Sequence, residues 1–153
     1  IFILLIDFNV AANSTLESLQ LTQILKDDYD GVDGLGNPRS VKILLDNSKV
    51  FVSSGDDNAF AIFNVDNNFN LALSQIFKNS STNINGLEGA SGVAYLEQGD
   101  QVVVTGFYDG ALTQFSKNKN SYRFNKTISD GLHYERIFKS DVSVGKSIRR
   151  SVR

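Results

Sequence analysis

The chain has 153 residues, a formal net charge of -2 and a hydrophobic content of 41%, which is typical of a globular protein of about one domain. It contains no cysteine and a single histidine, so disulfides, thiolate nucleophiles and metal sites that need two histidines are excluded. The balance of 15 basic and 17 acidic residues predicts no nucleic-acid partner. Because the chain also lacks methionine, we interpret it as a fragment of a longer gene product.

The most apolar run, residues 1–6, opens the chain and is too short to cross a bilayer, which needs about 20 residues. It also lacks the basic lead-in and the small-residue cleavage site of a secretory signal. We therefore interpret this run as a buried strand and predict no membrane insertion. The compartment stays open, because a chain without cysteine suits both the cytosol and the exterior; we favour an extracytoplasmic setting.

An internal repeat follows: residues 21–72 match residues 73–124 without gaps, and 14 of the 52 pairs are identical. The identities fall on apolar strand positions and on turn residues. Each copy predicts four short strands separated by polar turns. The first copy places them at 40–45, 49–54, 59–64 and 70–77, and the second at 92–96, 101–106, 111–116 and 121–128.

Four strands in a period near 50 residues are typical of a β-propeller blade. The runs 50–52 and 102–104 are apolar on both faces, which a strand tolerates when both faces of its sheet are covered. We predict an all-β chain that forms a β-propeller segment of four-stranded antiparallel blades. Residues 26–78 and 79–130 form complete blades, residues 1–25 supply the last strands of a partial blade, and residues 131–153 are the degraded or truncated start of another. A β-sandwich remains the structural alternative.

The second copy contains Gly86-Leu87-Glu88-Gly89-Ala90, then Val103-Val104-Thr105-Gly106 and Asp109-Gly110-Ala111-Leu112. These stretches resemble the YVTN-type repeat of lactonase-like β-propellers, the group that includes 6-phosphogluconolactonase-like propellers. The usual Ser-Pro-Asp-Gly hairpin of that repeat is absent from both copies. The resemblance implies that the remaining blades of the same propeller are partners of this segment, and that the whole protein is a sugar-lactone hydrolase or a related muconate-cyclising enzyme. It transfers no catalytic residue, because the repeat motif contains none.

Blade topology predicts where a ligand would bind. In an up-and-down blade, the loop before the first strand and the loop between the second and third strands emerge at the same edge of the sheet. Residues 27–38, 56–58, 79–91 and 107–110 should therefore meet at one edge, which we call the acidic rim. Its candidate ligand-binding residues are the acidic side chains of these loops: Asp28, Asp30, Asp33, Asp56, Asp57, Glu88 and Asp109.

We predict that this rim presents a non-catalytic binding or scaffolding surface to a protein or small-molecule partner, with a fragment of a propeller-type lactonase or muconate-cyclising enzyme as the alternative. Asp57 and Asp109 occupy equivalent repeat positions, so the competing interpretation for these two residues is that they cap their turns.

Two further groups of residues give weaker hypotheses. Asp28, Asp30 and Asp33 lie in the densest acidic loop, and calcium binds convergent carboxylates, but the spacing of an EF-hand is absent. We therefore prefer a solvated turn and predict no cofactor, with calcium as the alternative. His133 stands near Glu135 and Arg136 without a counterpart in the other copy, and we interpret it as a surface histidine rather than an acid–base catalyst.

An open ring would leave apolar surface at both ends. Closed propellers have at least four blades, whereas 153 residues hold about three repeats of this length. We expect exposed apolar flanks at residues 2–8 and near Ile128, and self-association of the isolated chain through them.

Overall fold

The computed structural model describes residues 21–46, 48–81 and 83–130, and the backbone of residues 132–133 and 151–152. Within these residues all regular secondary structure is β-strand, which confirms the predicted fold class. Among them there is also no helix with the length and apolarity that a membrane span requires. The apolar run at residues 1–6 and the flank at residues 2–8 lie outside the described residues.

Eight strands form two four-stranded antiparallel sheets, each in sequence order. The first sheet contains β1 (Pro38–Ile43), β2 (Lys49–Ser54), β3 (Ala59–Val65) and β4 (Leu71–Lys78). The second sheet contains β5 (Ala90–Leu96), β6 (Gln101–Gly106), β7 (Ala111–Asn118) and β8 (Ser121–Ser129). A further pair of two-residue strands, β9 (Leu132–His133) and β10 (Ser151–Val152), is antiparallel. The sheets are those expected of propeller blades, and each predicted strand lies within two residues of the observed one.

An aromatic core holds the two sheets face to face. Phe60 of β3 and Phe115 of β7 are fully buried, and their ring centroids lie 4.8 Å apart. Phe77 of β4 packs on the same ring of Phe115 at 4.6 Å. Burial of one such side chain contributes about 1.5–3 kcal/mol, so this cluster stabilises the contact between the sheets.

The opposite face of the first sheet is covered by the chain that precedes it. Val50 and Val52 of β2 cluster there with Leu25 and Leu35, while Phe51 between them points into the core shared with the second sheet. The run 50–52 is therefore buried on both faces, as predicted. In the equivalent run of β6, Val102 and Val104 are buried and Val103 is half-buried.

A glutamine at equivalent positions of the two copies binds the backbone of the next fourth strand along the chain. The side chain of Gln75 in β4 accepts a hydrogen bond from the backbone N–H of Tyr122 at 2.6 Å and donates to its carbonyl at 2.9 Å. Gln23, one repeat earlier, makes the same pair of bonds to Leu71 at 2.8 and 3.0 Å. Each amide side chain thus satisfies both polar groups of one backbone residue across a sheet boundary.

The fourth strands align with an offset of 51 residues rather than 52. Ile62 pairs with Gln75 in the first sheet, whereas its equivalent Gln114 pairs with Lys126 in the second. The cause is a hairpin that is one residue shorter in the second sheet: five residues separate the paired Val65 and Leu71, whereas four separate the equivalent pair Lys117 and Tyr122. The gap-free alignment of the two copies is therefore wrong by one residue in the fourth strand. With the corrected offset, Asp130 is the structural equivalent of Asn79.

Candidate functional site: the acidic rim

Backbone hydrogen bonds join the loops of the rim in the same way in both sheets. We call residues 27–37 and 79–89 the leading loops, and residues 55–58 and 107–110 the rim turns. In each sheet two consecutive N–H groups of the rim turn donate to two carbonyls of the leading loop, at 3.0–3.2 Å. The donors and acceptors are Gly55 to Asn37, Asp56 to Gly36, Phe107 to Gly89 and Tyr108 to Glu88. The loops that the sequence predicts at one edge are therefore together.

Asp57 and Asp109 lock these loops from the side. The backbone N–H of Gly36 donates to Oδ2 of Asp57 at 2.8 Å, and the N–H of Glu88 donates to Oδ2 of Asp109 at the same distance. A bond from an N–H to an ionised carboxylate is stronger than one between neutral groups. The sequence analysis offered the interpretation that these aspartates cap their own turns; these bonds show each carboxylate holding the leading loop.

A second pair of equivalent side chains holds the start of each leading loop. Oδ1 of Asp27 accepts the N–H of Leu35 at 2.8 Å, and Oδ1 of Asn79 accepts the N–H of Leu87 at 3.0 Å. Each side chain binds the residue eight positions later in the sequence. The sequence analysis missed this role, although its signal is the fixed spacing from Asp or Asn to a Gly-Leu pair in both copies.

The glycine of that Gly-Leu pair is required by the close approach of the neighbouring strand. Gly86 has a φ of 115°, a conformation that side chains disfavour. A Cβ at Gly86 would also lie 2.5 Å from Cγ2 of Thr127. The leading loop therefore passes directly against the outer strands, which fixes the height of the rim above the sheet.

Asn58 connects the rim across the two sheets. Its Oδ1 accepts the N–H of Gly89 at 2.8 Å, and its φ of 51° resembles the 57° of Gly110, the equivalent residue. Asparagine and glycine are the residues that most readily adopt this left-handed conformation. The first rim turn is thus bonded to the second leading loop, and the rim is continuous.

The acidic loop at residues 27–33 is organised around a tight turn. Asp30 and Gly31 both have positive φ, and the N–H of Val32 donates to the carbonyl of Tyr29 at 3.1 Å, which defines a type I′ turn. Asp30 therefore has a turn-forming role that Asp-Gly sequences commonly fill.

Carboxylate oxygens of Asp27, Asp28 and Asp33 lie within 4.8 Å of one another, so the observed cluster contains Asp27 in place of the predicted Asp30. Asp33 accepts the ammonium of Lys78 at 2.7 Å, and this hydrogen bond raises the pKa of Lys78. Because a lysine already neutralises one carboxylate and Asp27 holds a backbone N–H, the geometry favours the solvated, structural turn.

The remaining acidic candidates have unequal surroundings. Asp56 is exposed and accepts the side-chain amide of Asn37 at 3.3 Å. Glu88 is half-buried, and its backbone is fixed by Asp109. Asp28 is exposed. The side chain of His133 lies outside the described residues.

Three residues in or beside the rim that the sequence analysis did not select as candidates are exposed to solvent: Tyr29, Phe107 and Arg39. Tyr29 and Phe107 are 65% and 63% exposed, and the ring of Phe107 meets that of Tyr108 edge to face at 5.2 Å. Arg39 sits at a break in the register between β1 and β2, a bulge that recurs at Ser91 in β5. Bulges commonly redirect side chains beside functional sites. The repeat gives no signal for Arg39 or Phe107, because 38 of the 52 paired positions differ between the two copies.

The sequence matches no protein-family profile and no curated protein. Two solved structures are similar in fold. One is a functionally unknown protein from Desulfotomaculum acetoxidans, at 18% identity and a TM-score of 0.53, covering 73% of this chain and 33% of that chain. The other is a periplasmic gluconolactonase from Pseudomonas aeruginosa, also at 18% identity and a TM-score of 0.53, covering 79% of this chain and 41% of that chain. The chain thus spans less than half of either protein and shares the fold of part of a propeller-type lactonase.

Proposed function

We propose that this chain is a propeller segment whose acidic rim binds a neutral, hydroxyl-rich ligand of the sugar-lactone class without catalysing its hydrolysis. The observation that carries the proposal is the use of the rim carboxylates. Asp33, Asp57 and Asp109 each accept a backbone N–H of a leading loop. A carboxylate that holds its loop in this way supports a rigid surface and is poorly placed to exchange protons with a substrate.

The exposed residues of the rim suit such a ligand. Aromatic faces such as those of Tyr29 and Phe107 pack against the apolar C–H groups of a sugar ring, and exposed carboxylates such as Asp28 accept hydrogen bonds from hydroxyl groups. A neutral ligand also avoids repulsion by the acidic loops. The name of the gluconolactonase neighbour supports the choice of ligand class, and its periplasmic location supports the extracytoplasmic setting that we favour.

A titration with gluconolactone, followed by NMR of backbone amides, tests this function. We expect saturable shifts at the amides of Gly36 and Gly89, which lie within the rim, and no hydrolysis above the rate in buffer. The double variant Tyr29→Ala, Phe107→Ala should weaken binding, whereas Val41→Ala, on an exposed position of β1, is the matched control. Absence of saturable shifts would remove the proposed ligand.

The alternative function is a segment of a lactone hydrolase, favoured by the fold shared with the gluconolactonase. The same titration separates the two functions, because sustained hydrolysis of gluconolactone above the buffer rate would contradict the non-catalytic proposal and support the enzyme.

A further inference from the structure

The second leading loop contains Asn85-Gly86, the one Asn-Gly step of the sequence. Asn85 is exposed, and Gly86 has a φ of 115°. Asparagine is a chemically labile residue, and it is most labile before glycine, whose backbone nitrogen can attack the asparagine side chain without hindrance from a side chain of its own. The bonds around this step therefore decide whether Asn85 persists.

Three hydrogen bonds hold the reacting atoms of this step. The backbone N–H of Gly86, which carries the attacking nitrogen, donates to Oδ1 of Asn79 at 3.0 Å. The N–H of Leu87 donates to the same oxygen at 3.0 Å, and the hydroxyl of Thr127 donates to the carbonyl of Asn85. Because the attacking nitrogen must lose the proton that Asn79 holds, the loop has to open locally before the reaction can begin.

The equivalent of Asn85 in the first leading loop is Asp33, an aspartate, which is the residue type that deamidation produces. Oδ1 of Asp33 accepts the N–H of Gly34 and the ammonium of Lys78, both at 2.7 Å. The fold therefore accommodates an aspartate at this point of the loop. In the second sheet Ser129 takes the position of Lys78, so a carboxylate at position 85 would lack the lysine that neutralises Asp33.

We propose that Asn85 is a site of spontaneous deamidation, and that opening of the second leading loop sets its rate. The backbone nitrogen of Gly86 forms a bond to Cγ of Asn85 and gives its proton to solvent, while the side-chain nitrogen takes up a proton and leaves as ammonia. Water then opens the resulting succinimide at either carbonyl and yields aspartate or isoaspartate. Aspartate adds a negative charge to the acidic rim. Isoaspartate also adds a carbon atom to the main chain, which changes the fixed spacing from Asn79 to the Gly-Leu pair.

Incubation of the full chain at neutral pH, followed by peptide mapping with mass spectrometry and an isoaspartate-specific label, tests the proposal. We expect both products at position 85, and formation about tenfold faster in urea than in buffer, because the unfolded chain lacks the bond to Asn79. Asn79→Ala should accelerate the reaction of the folded chain by about tenfold, since it removes the acceptor for the N–H of Gly86. Asn79→Asp should keep the rate within about threefold, because a carboxylate also accepts such a donor, as Asp27 does from Leu35.

Two further variants separate local opening from a general loss of structure. Asp27→Ala removes the equivalent bond in the first leading loop and should leave the rate at Asn85 unchanged. Thr127→Val keeps the bond to Asn79 but frees the carbonyl of Asn85, and should accelerate the reaction by about threefold. Circular dichroism establishes that each rate refers to a folded chain.

Three results would overturn the proposal. The first is an equal rate at Asn85 in urea and in buffer, which would mean that the loop gives no protection. The second is an unchanged rate in folded Asn79→Ala or, where that variant does not fold, in Thr127→Val. The third is an equal acceleration by Asp27→Ala and Asn79→Ala, which would mean that global unfolding and not the second leading loop sets the rate.

Discussion

The first and second sheets have the same strand order and the same bonds between leading loop and rim turn, yet they differ in how their faces are covered. Phe60 in the first sheet is fully buried between the sheets, whereas Leu112 at the equivalent position of the second is 46% exposed. Among the described residues, the first sheet has neighbours on both faces and the second on one. The repeat thus specifies the sheet and its rim, while the stabilisation that each sheet receives depends on what lies next to it.

The largest expected effect is at the shared core. Phe60→Ala should lower the free energy of unfolding by about 3–5 kcal/mol, because it removes a fully buried ring and leaves a cavity. Leu112→Ala, at the equivalent position, should cost less than about 1 kcal/mol, since nearly half of this side chain is already in water. Urea unfolding monitored by circular dichroism measures both, and equal losses would contradict the difference in cover.

The next effect concerns the outer strands. Gln75→Ala should cost about 1–3 kcal/mol, because the backbone N–H and carbonyl of Tyr122 lose their partners. Lys126→Ala, at the equivalent position of the second sheet, should change stability by less than about 0.5 kcal/mol, as is usual for an exposed residue. Urea unfolding again provides the comparison, and a cost at Lys126 that matches the cost at Gln75 would show that the glutamine has no special role.

The fold was largely predictable from the sequence, because the alternation of apolar residues and the spacing of turns set the strands of both copies. Two features could not be predicted from the sequence, and each has a physical reason. The one-residue shortening before β8 leaves no gap in the pattern, because it falls in the polar turn between β7 and β8, while both sheets have the same bulge, at Ile62/Phe63 and at Gln114/Phe115. Phe51 is fully buried, whereas Val103, at the equivalent position of the repeat, is half-buried. This difference in burial arises from the neighbours of each sheet and not from the repeat itself.

For the rim, the sequence predicted which loops meet but not what their acidic residues do. Asp57 and Asp28 are both aspartates in polar loops, yet the carboxylate of Asp57 accepts the N–H of Gly36 while Asp28 is exposed. That difference depends on the direction of a backbone N–H in a separate loop, which a local pattern does not encode. Arg39 was similarly missed as a candidate because its bulge becomes visible when β1 pairs with β2.

A smaller and equal effect is expected at the two carboxylates that lock the leading loops. Asp57→Ala and Asp109→Ala should each cost about 1–2 kcal/mol, because each removes one bond to a backbone N–H at 2.8 Å. Asp28→Ala, in the same rim but exposed, should leave stability nearly unchanged. Thermal unfolding measures all three, and a large difference between Asp57→Ala and Asp109→Ala would show that the two sheets do not share this lock.

The smallest expected effect is a dependence of stability on pH, which arises at the edge of the sheets opposite the rim. Hydrogen bonds from Ser48 lower the pKa of Asp46, and the hydroxyl of Tyr95, with the nearby Lys117, lowers the pKa of Asp100. Since both pKa values fall on folding, both carboxylates contribute stability above the unfolded value of 3.8 and lose it as the pH falls through their folded values.

Unfolding of Asp46→Asn and Asp100→Asn between about pH 6 and pH 2 should therefore show a shallower loss of stability than the unmodified chain. An identical pH profile for all three proteins would mean that these bonds do not form in solution.

A double-mutant cycle across the two sheets tests most directly whether they stack as adjacent blades. Phe60 and Phe115 belong to different sheets and their ring centroids lie 4.8 Å apart. The single variants Phe60→Leu and Phe115→Leu and the double variant, compared by urea unfolding, should give a coupling energy of about 0.5–1.5 kcal/mol. A coupling energy indistinguishable from zero would contradict the stacked arrangement of the two sheets.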